Sequence, residues 1–290
     1  MDPYSQPGFN EKFDALIDAH KERLPTIPIY YDDPKFPGSG DLETALGPGM
    51  QTHADNLIPF LTSISDEAEY TRDALAESLA FADIYRAEEA ARSEEETTPE
   101  EELVSCIFFH REREKVAFYG ARKTGEVISG IYNLWEYSAH LLRTAYEIEI
   151  PFFDVTLDGV LRIAHRDERF RKLIAHAEFA PERGGAYMEG GVLERLKRYR
   201  HPSVHILSIP SHAAFKDFGK EPEQPANPFY KVWIDDFMSG KRVYIDIPHP
   251  DVMLAFAEVA YRHYVDGYGI IRDLLAEDIR QINSDLEAGP

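Results

Sequence analysis

From His53 to about Ala91 the apolar residues Leu57, Leu61, Ile64, Ala68, Tyr70, Leu75, Leu79 and Phe81 recur at steps close to three and four. Only an α-helix gathers such steps onto one side. A helix of this length with an apolar stripe must bury it against other helices. A second long helix is signalled by Thr98-Pro99-Glu100-Glu101. There Thr98 serves as N-cap, Pro99 opens the first turn and Glu101 reaches back to the cap. That helix is predicted to run to about Ile148 and to be closed off by Pro151. Gly120, Gly125 and Gly130 either weaken it as one rod or mark close helix packing. Its second half, "GIYNLWEYSAHLLRTAYEI", is apolar on more than one face, as a central bundle helix is.

Around these two rods the sequence gives shorter pieces. A helix is expected near Glu11–Arg23, followed by an arm whose frequent prolines forbid a long helix or a central strand. Helical pieces are expected at Thr156–Ile163, Asp167–Phe179 and Val192–Arg200, the last preceded by the glycine-rich break "ERGGAYMEGG". In "NPFYKVWIDDFMSGKRVYIDIP" apolar residues alternate on both sides of Ser239-Gly240, the pattern of a β-hairpin. A long closing helix starts at Pro250-Asp251. The expected fold class is all-α: a helical bundle with an inserted β-hairpin at about 228–248 and a proline-rich irregular N-terminal arm. The expected domains are that arm, 1–52, and a helical domain, 53–290.

Composition narrows the function classes. Apolar residues make up 43% and aromatics 12% of the 290, enough for a buried core and against wholesale disorder. No apolar run reaches the roughly 18 residues of a membrane span, so no membrane partner is expected. "MDPYSQPGFNEKFD" lacks the basic start and apolar stretch of a signal peptide, and a cytoplasmic location is expected. The single cysteine, Cys106 in "LVSCIFF", rules out an internal disulfide framework and reads as a core residue. The net charge of −21 disfavours nucleic acid over long range. The charge is uneven, however. Residues 1–105 carry 7 basic and 24 acidic side chains, whereas residues 106–205 carry 16 and 14.

Several chemistries are absent from the motifs. "GGAYMEGG" lacks the Gly-Lys-Ser/Thr ending of a phosphate loop, and "FPGSGD" has the wrong spacing for a nucleophile elbow. Glu136 and His140 lie four apart, a spacing that can offer two ligands to one metal. The Glu-x-x-His pairs of di-metal bundles are missing, so a di-metal helical-bundle protein stays a minor alternative and no metal or cofactor is expected. His110–Lys123 and Arg166–Lys172 add cations, with Glu112, Glu114, Asp167 and Glu168 interleaved as on a salt-bridged surface. Arg169, Arg171 and Lys172 would neighbour the stretch described next if the bundle folds back. Tyr261, Arg262, His263 and Tyr264 crowd the closing helix, where helical spacing lets at most two of them serve one site.

The densest cationic stretch is "ERLKRYRHPSVH", with Arg195, Lys197, Arg198, Arg200, His201 and His205 within twelve positions. Arg200-His201-Pro202-Ser203-Val204-His205 has the form arginine, polar residue, three residues, histidine, at the close of a helix that follows a long central helix. In this motif and its bundle context, over roughly residues 53–280, the chain resembles the HEPN superfamily. These are helical domains widespread in toxin–antitoxin, anti-phage and CRISPR systems. The resemblance implies metal-independent endoribonuclease activity in defence or stress, a homodimer with two motifs across one cleft, RNA as partner, and an antitoxin or regulatory protein. It makes His205 the acid/base, Arg200 the group that stabilises the phosphate, and His201 an assistant in proton transfer. Arg195, Lys197 and Arg198 would hold neighbouring phosphates. Pro202 departs from a continuous helix and predicts a break beside His201.

Two other readings stay open. Cations in a last helical turn are favoured by the helix dipole and need no ligand, and His205 beside Val204 and Ile206 fits a hydrogen-bonded core histidine. The same residues also fit a HEPN-like nucleotide- or protein-binding regulatory module without catalysis.

Overall fold

The computed structural model describes the backbone of residues 8–28, 51–92, 112–186, 188, 190–205, 229–236, 241–248 and 250–288. Side chains are described for 8–28, 56–87, 119–120, 122–186, 188, 190–200 and 252–278. The elements are α1 (Phe9–Arg23), α2 (Gln51–Arg92), α3 (Glu112–Ala145), α4 (Leu157–Ala164), α5 (Arg171–His176) and α6 (Val192–His205). Strands β1 (Phe229–Asp236) and β2 (Lys241–Pro248) follow, then α7 (Pro250–Ala288). The strands pair antiparallel, from Phe229 opposite Pro248 to Asp236 opposite Lys241. Helix dominates the described chain, and the all-α class stands.

The long helices form where the apolar spacing places them. α2 spans Gln51–Arg92 and buries Leu57, Leu61, Ile64, Ala68 and Leu75, while Tyr70 faces outward. α3 passes through Gly120, Gly125 and Gly130 without a break. The Thr98-Pro99 start, Cys106, most of the proline-rich arm and the Ser239-Gly240 turn lie outside the described residues. α3 ends at Ala145, earlier than Ile148, because Glu147 takes a left-handed conformation with φ 49°. The N–H of Ile148 then donates back to the Arg143 carbonyl at 2.9 Å. The piece expected over Asp167–Phe179 is divided. Glu168–Phe170 forms a single 3₁₀ turn, capped by the Asp167 carboxylate, before α5 begins.

The chain divides into two compact units, residues 1–24, 71–129 and 198–259, and residues 25–70, 130–197 and 260–290. In the first, Phe13 of α1 packs on Phe81 of α2, ring centroids 4.5 Å apart. The buried Ser78 hydroxyl donates to the Gly120 carbonyl at 3.1 Å and also meets the Thr124 hydroxyl, which itself donates to Gly120 at 2.9 Å. Gly120 is thus a place of close helix packing. At its margin Lys21 pairs with Asp73 at 2.8 Å, and Arg72 donates to the Lys21 carbonyl at 2.7 Å.

In the second unit, Trp135 of α3 and Tyr261, Tyr264 and Tyr268 of α7 form an aromatic core. Two of the phenols have hydrogen-bond partners there. Ser138 meets the Tyr264 hydroxyl at 3.0 Å, and the Tyr261 hydroxyl donates toward the carbonyls of Pro25 and Ala68. Burial raises the Tyr264 phenol pKa well above its ordinary value, so the ring stays neutral. Each large apolar side chain fully removed from water contributes about 1.5–3 kcal/mol, and this core supplies many.

Candidate functional site

α6 is positioned by carboxylates at its start. Gly190 (φ 85°) and Gly191 lead into it, and the Arg195 N–H closes the first turn on the Gly191 carbonyl at 3.1 Å. Glu194 reaches back to accept from the Gly190 N–H. Glu178, itself left-handed at φ 55°, accepts from the Val192 N–H at 3.4 Å. A Cβ at Gly191 would stand 1.9 Å from a Glu178 carboxylate oxygen, so glycine is required for this approach. Two carboxylates at the N-terminus complement the helix dipole, and so do the cations farther along.

The helix does not stop at Arg200. It continues through Pro202 to His205. Proline's fixed φ is itself helical, and α6 continues through Pro202 without the hydrogen bond to the Arg198 carbonyl, where the ring also crowds that carbonyl. A continuous helix fixes which positions share a side. Leu193, Leu196 and Tyr199 are buried, and Arg195, Lys197 and Arg198 are exposed. At about 100° per residue, positions 201 and 205 fall about 40° and 80° from Lys197, on the exposed side. Arg200 falls about 40° from Leu196, on the core-facing side, and it is half-buried. The backbone positions of Arg200 and His205 therefore lie about 140° apart around the axis. The side chains of His201 and His205 are outside the described residues, as is "ILSIPSH" beyond them.

In the other cationic segments Arg169 and Lys123 are matched by carboxylates. Arg169 binds Asp167 at 2.7 Å and Asp278 at 3.3 Å, and lies over the Tyr146 ring, 5.3 Å from its centroid. The Arg169 contact holds the Asp167 carboxyl below its ordinary pKa. Lys123 sits between Glu77 and Glu126, at 3.1 Å from each. Arg171 and Lys172 are exposed. Of the interleaved acids Asp167 pairs as its spacing implied, and the side chains of Glu112 and Glu114 lie outside the described residues.

Glu136 and His140 are both half-buried, but His140 is flanked by phenylalanines. Phe60 stacks on it at 5.5 Å and Phe152 leans on it at 4.8 Å. Burial first, and Arg143 second, lower the His140 pKa. Among the described residues no group of three or more His, Cys, Asp or Glu side chains could hold a metal ion.

One constellation was not anticipated. His176, at the end of α5, stacks on His263 of α7 with ring centroids 4.1 Å apart and planes 18° apart. Each ring bonds the other residue's backbone: His176 Nε2 to the His263 carbonyl at 2.8 Å, and His263 Nε2 to the His176 carbonyl at 3.0 Å. A carbonyl only accepts, so both Nε2 atoms carry hydrogen. Trp135 packs against both rings, at 6.4 and 5.8 Å. Gly267 makes room for it: a Cβ there would lie 2.5 Å from the indole and 2.9 Å from His176. Burial, then the neighbouring His176, lower the His263 pKa.

No protein-family model, curated protein or solved structure matches the chain. No helix among the described residues is long and apolar enough to cross a membrane.

Proposed function

We propose that this chain is a metal-independent endoribonuclease of the HEPN kind, serving defence or stress, with RNA lying along the exposed side of α6. One observation carries the reading: Arg195, Lys197 and Arg198 are exposed on the side of α6 that includes the backbone positions of His201 and His205. Two histidines one turn apart supply what transfer from a ribose 2′-hydroxyl requires, one group to take a proton and one to give it. His205 is the principal acid/base and His201 its assistant. Arg200 reaches the phosphoryl oxygens from the edge of the core-facing side, and the three exposed cations hold flanking phosphates. On this reading the β1–β2 pair is a hairpin inserted before the closing helix of the bundle. The protein works as a homodimer, restrained by an antitoxin or regulatory protein.

Purified protein freed of metal with a chelator, incubated with structured and single-stranded RNA, tests this. His205→Ala is expected to slow cleavage about 10²–10⁴-fold, the usual share of general acid–base catalysis. Wild type and variant being equally active, or equally inert, overturns it. Half-burial of Arg200 in phase with Leu196 favours a second reading, a nucleotide- or protein-binding module without catalysis. RNA bound by wild type but never cut selects that reading.

A further inference from the structure

We propose that the His176–His263 pair is an acid-released clasp that sets the first turn of α6. The stack is closed only while the His263 ring is neutral. Each Nε2–H is used on the opposite backbone, so a proton added to either ring goes to Nδ1. The Nδ1 of His263 is buried and has no hydrogen-bond partner. Protonation there buries an unpaired N–H and sets a cation against a second imidazole 4.1 Å away. Around the pair, α3 offers the uncharged indole of Trp135, which is itself backed by the neutral phenol of Tyr264 from α7. The carboxylates that act on His263 are Glu178, just after α5, and Asp266 of α7. They favour the charged ring but do not outweigh burial and His176.

The clasp is coupled to α6 through Glu178. That residue follows His176 by two positions, and its carboxylate accepts from the Val192 N–H at the head of α6. When the rings part, the turn Ala177–Phe179 is released and α6 loses this acceptor. Folded His263 has a lowered pKa, so the unfolded or opened form binds the proton more tightly. The clasp's contribution is complete above the ordinary histidine pKa of about 6.5 and is lost as pH falls below it.

The full chain carrying Trp233→Phe leaves Trp135 as the sole indole. Trp135 emission and the hydrogen-exchange protection of the Val192 amide are followed from pH 8 to pH 5. Emission is expected to shift red, with a fall in protection of at least about tenfold, both below pH 6.5. In His176→Gln/His263→Gln, an amide N–H replaces each Nε2–H and does not titrate, so both signals are expected to stay flat. Signals unchanged in wild type, or falling equally in the glutamine variant, overturn the clasp. Should the double variant not fold, the His263 ring resonance of wild type decides. Its titration midpoint must coincide with that of Trp135 emission, and separate midpoints overturn the proposal. The clasp does not rest on the function proposed above. Emission and protection report the clasp even where no RNA is cut.

Discussion

Among the described residues each unit contains a polar contact between helices that closes on a backbone carbonyl, and the two differ in their response to protons. In the first, Ser78, Thr124 and the Gly120 carbonyl join α2 to α3 through hydroxyls. In the second, His176 and His263 join α5 to α7 through imidazoles. Both satisfy backbone carbonyls, and the second depends on Gly267, where the indole and His176 leave no room for a side chain. The hydroxyl contact holds at any pH a protein meets. The imidazole contact is conditional, because its donors share a ring with a titratable nitrogen. Helix packing alone does not distinguish them.

The strongest way to break the comparison is Trp135→Ala, which empties the space behind both histidines. It is expected to cost about 3–5 kcal/mol by chemical denaturation and to abolish the pH response. Gly267→Ala forces a methyl between the indole and His176, for an expected loss of about 1–3 kcal/mol. Ser78→Ala on the other side should cost about 1 kcal/mol, equally at pH 7.5 and pH 5.5, as melting at both values would show. Wild type itself is expected to lose stability on acidification through pH 6.5 as far as His263 is concerned, since its lowered pKa favours proton uptake on unfolding. The glutamine pair should remove that part of the slope. Smallest is Lys123→Met, which breaks the contacts to Glu77 and Glu126. These are partly exposed ion pairs, expected to contribute under about 1 kcal/mol and to fade in salt.

Much of the helical plan was legible because long apolar repeats have only one periodic solution. α2 lies where Leu57, Leu61 and Ile64 put it, and α4 starts at the cap Thr156, whose hydroxyl accepts from the Gly159 N–H. The extent of α6 was not legible. Pro202 argued locally for a break, but proline's own φ suits a helix, and α6 continues through it to His205. That continuity separates Arg200 from His205 around the axis, which a linear motif cannot express. The clasp was invisible for another reason. His176 and His263 are 87 positions apart, and neither lies in a recognisable pattern. His263 stood out only as one of four crowded residues, of which Tyr261 and Tyr264 proved buried and Arg262 exposed. Gly267 carried the one local hint, a glycine inside a helix where alanine would fold better.

That glycine also bears on how the sequence can drift. Its missing side chain is filled by the Trp135 indole and the edge of His176, so the three positions form one steric unit drawn from three helices. A lineage cannot enlarge residue 267 alone. It must first shrink the indole or move the imidazole, and either step passes through a less stable ancestor. Descendants should therefore keep all three residues together or exchange them together, leaving a correlated trace among positions that adjacency in the chain would never link.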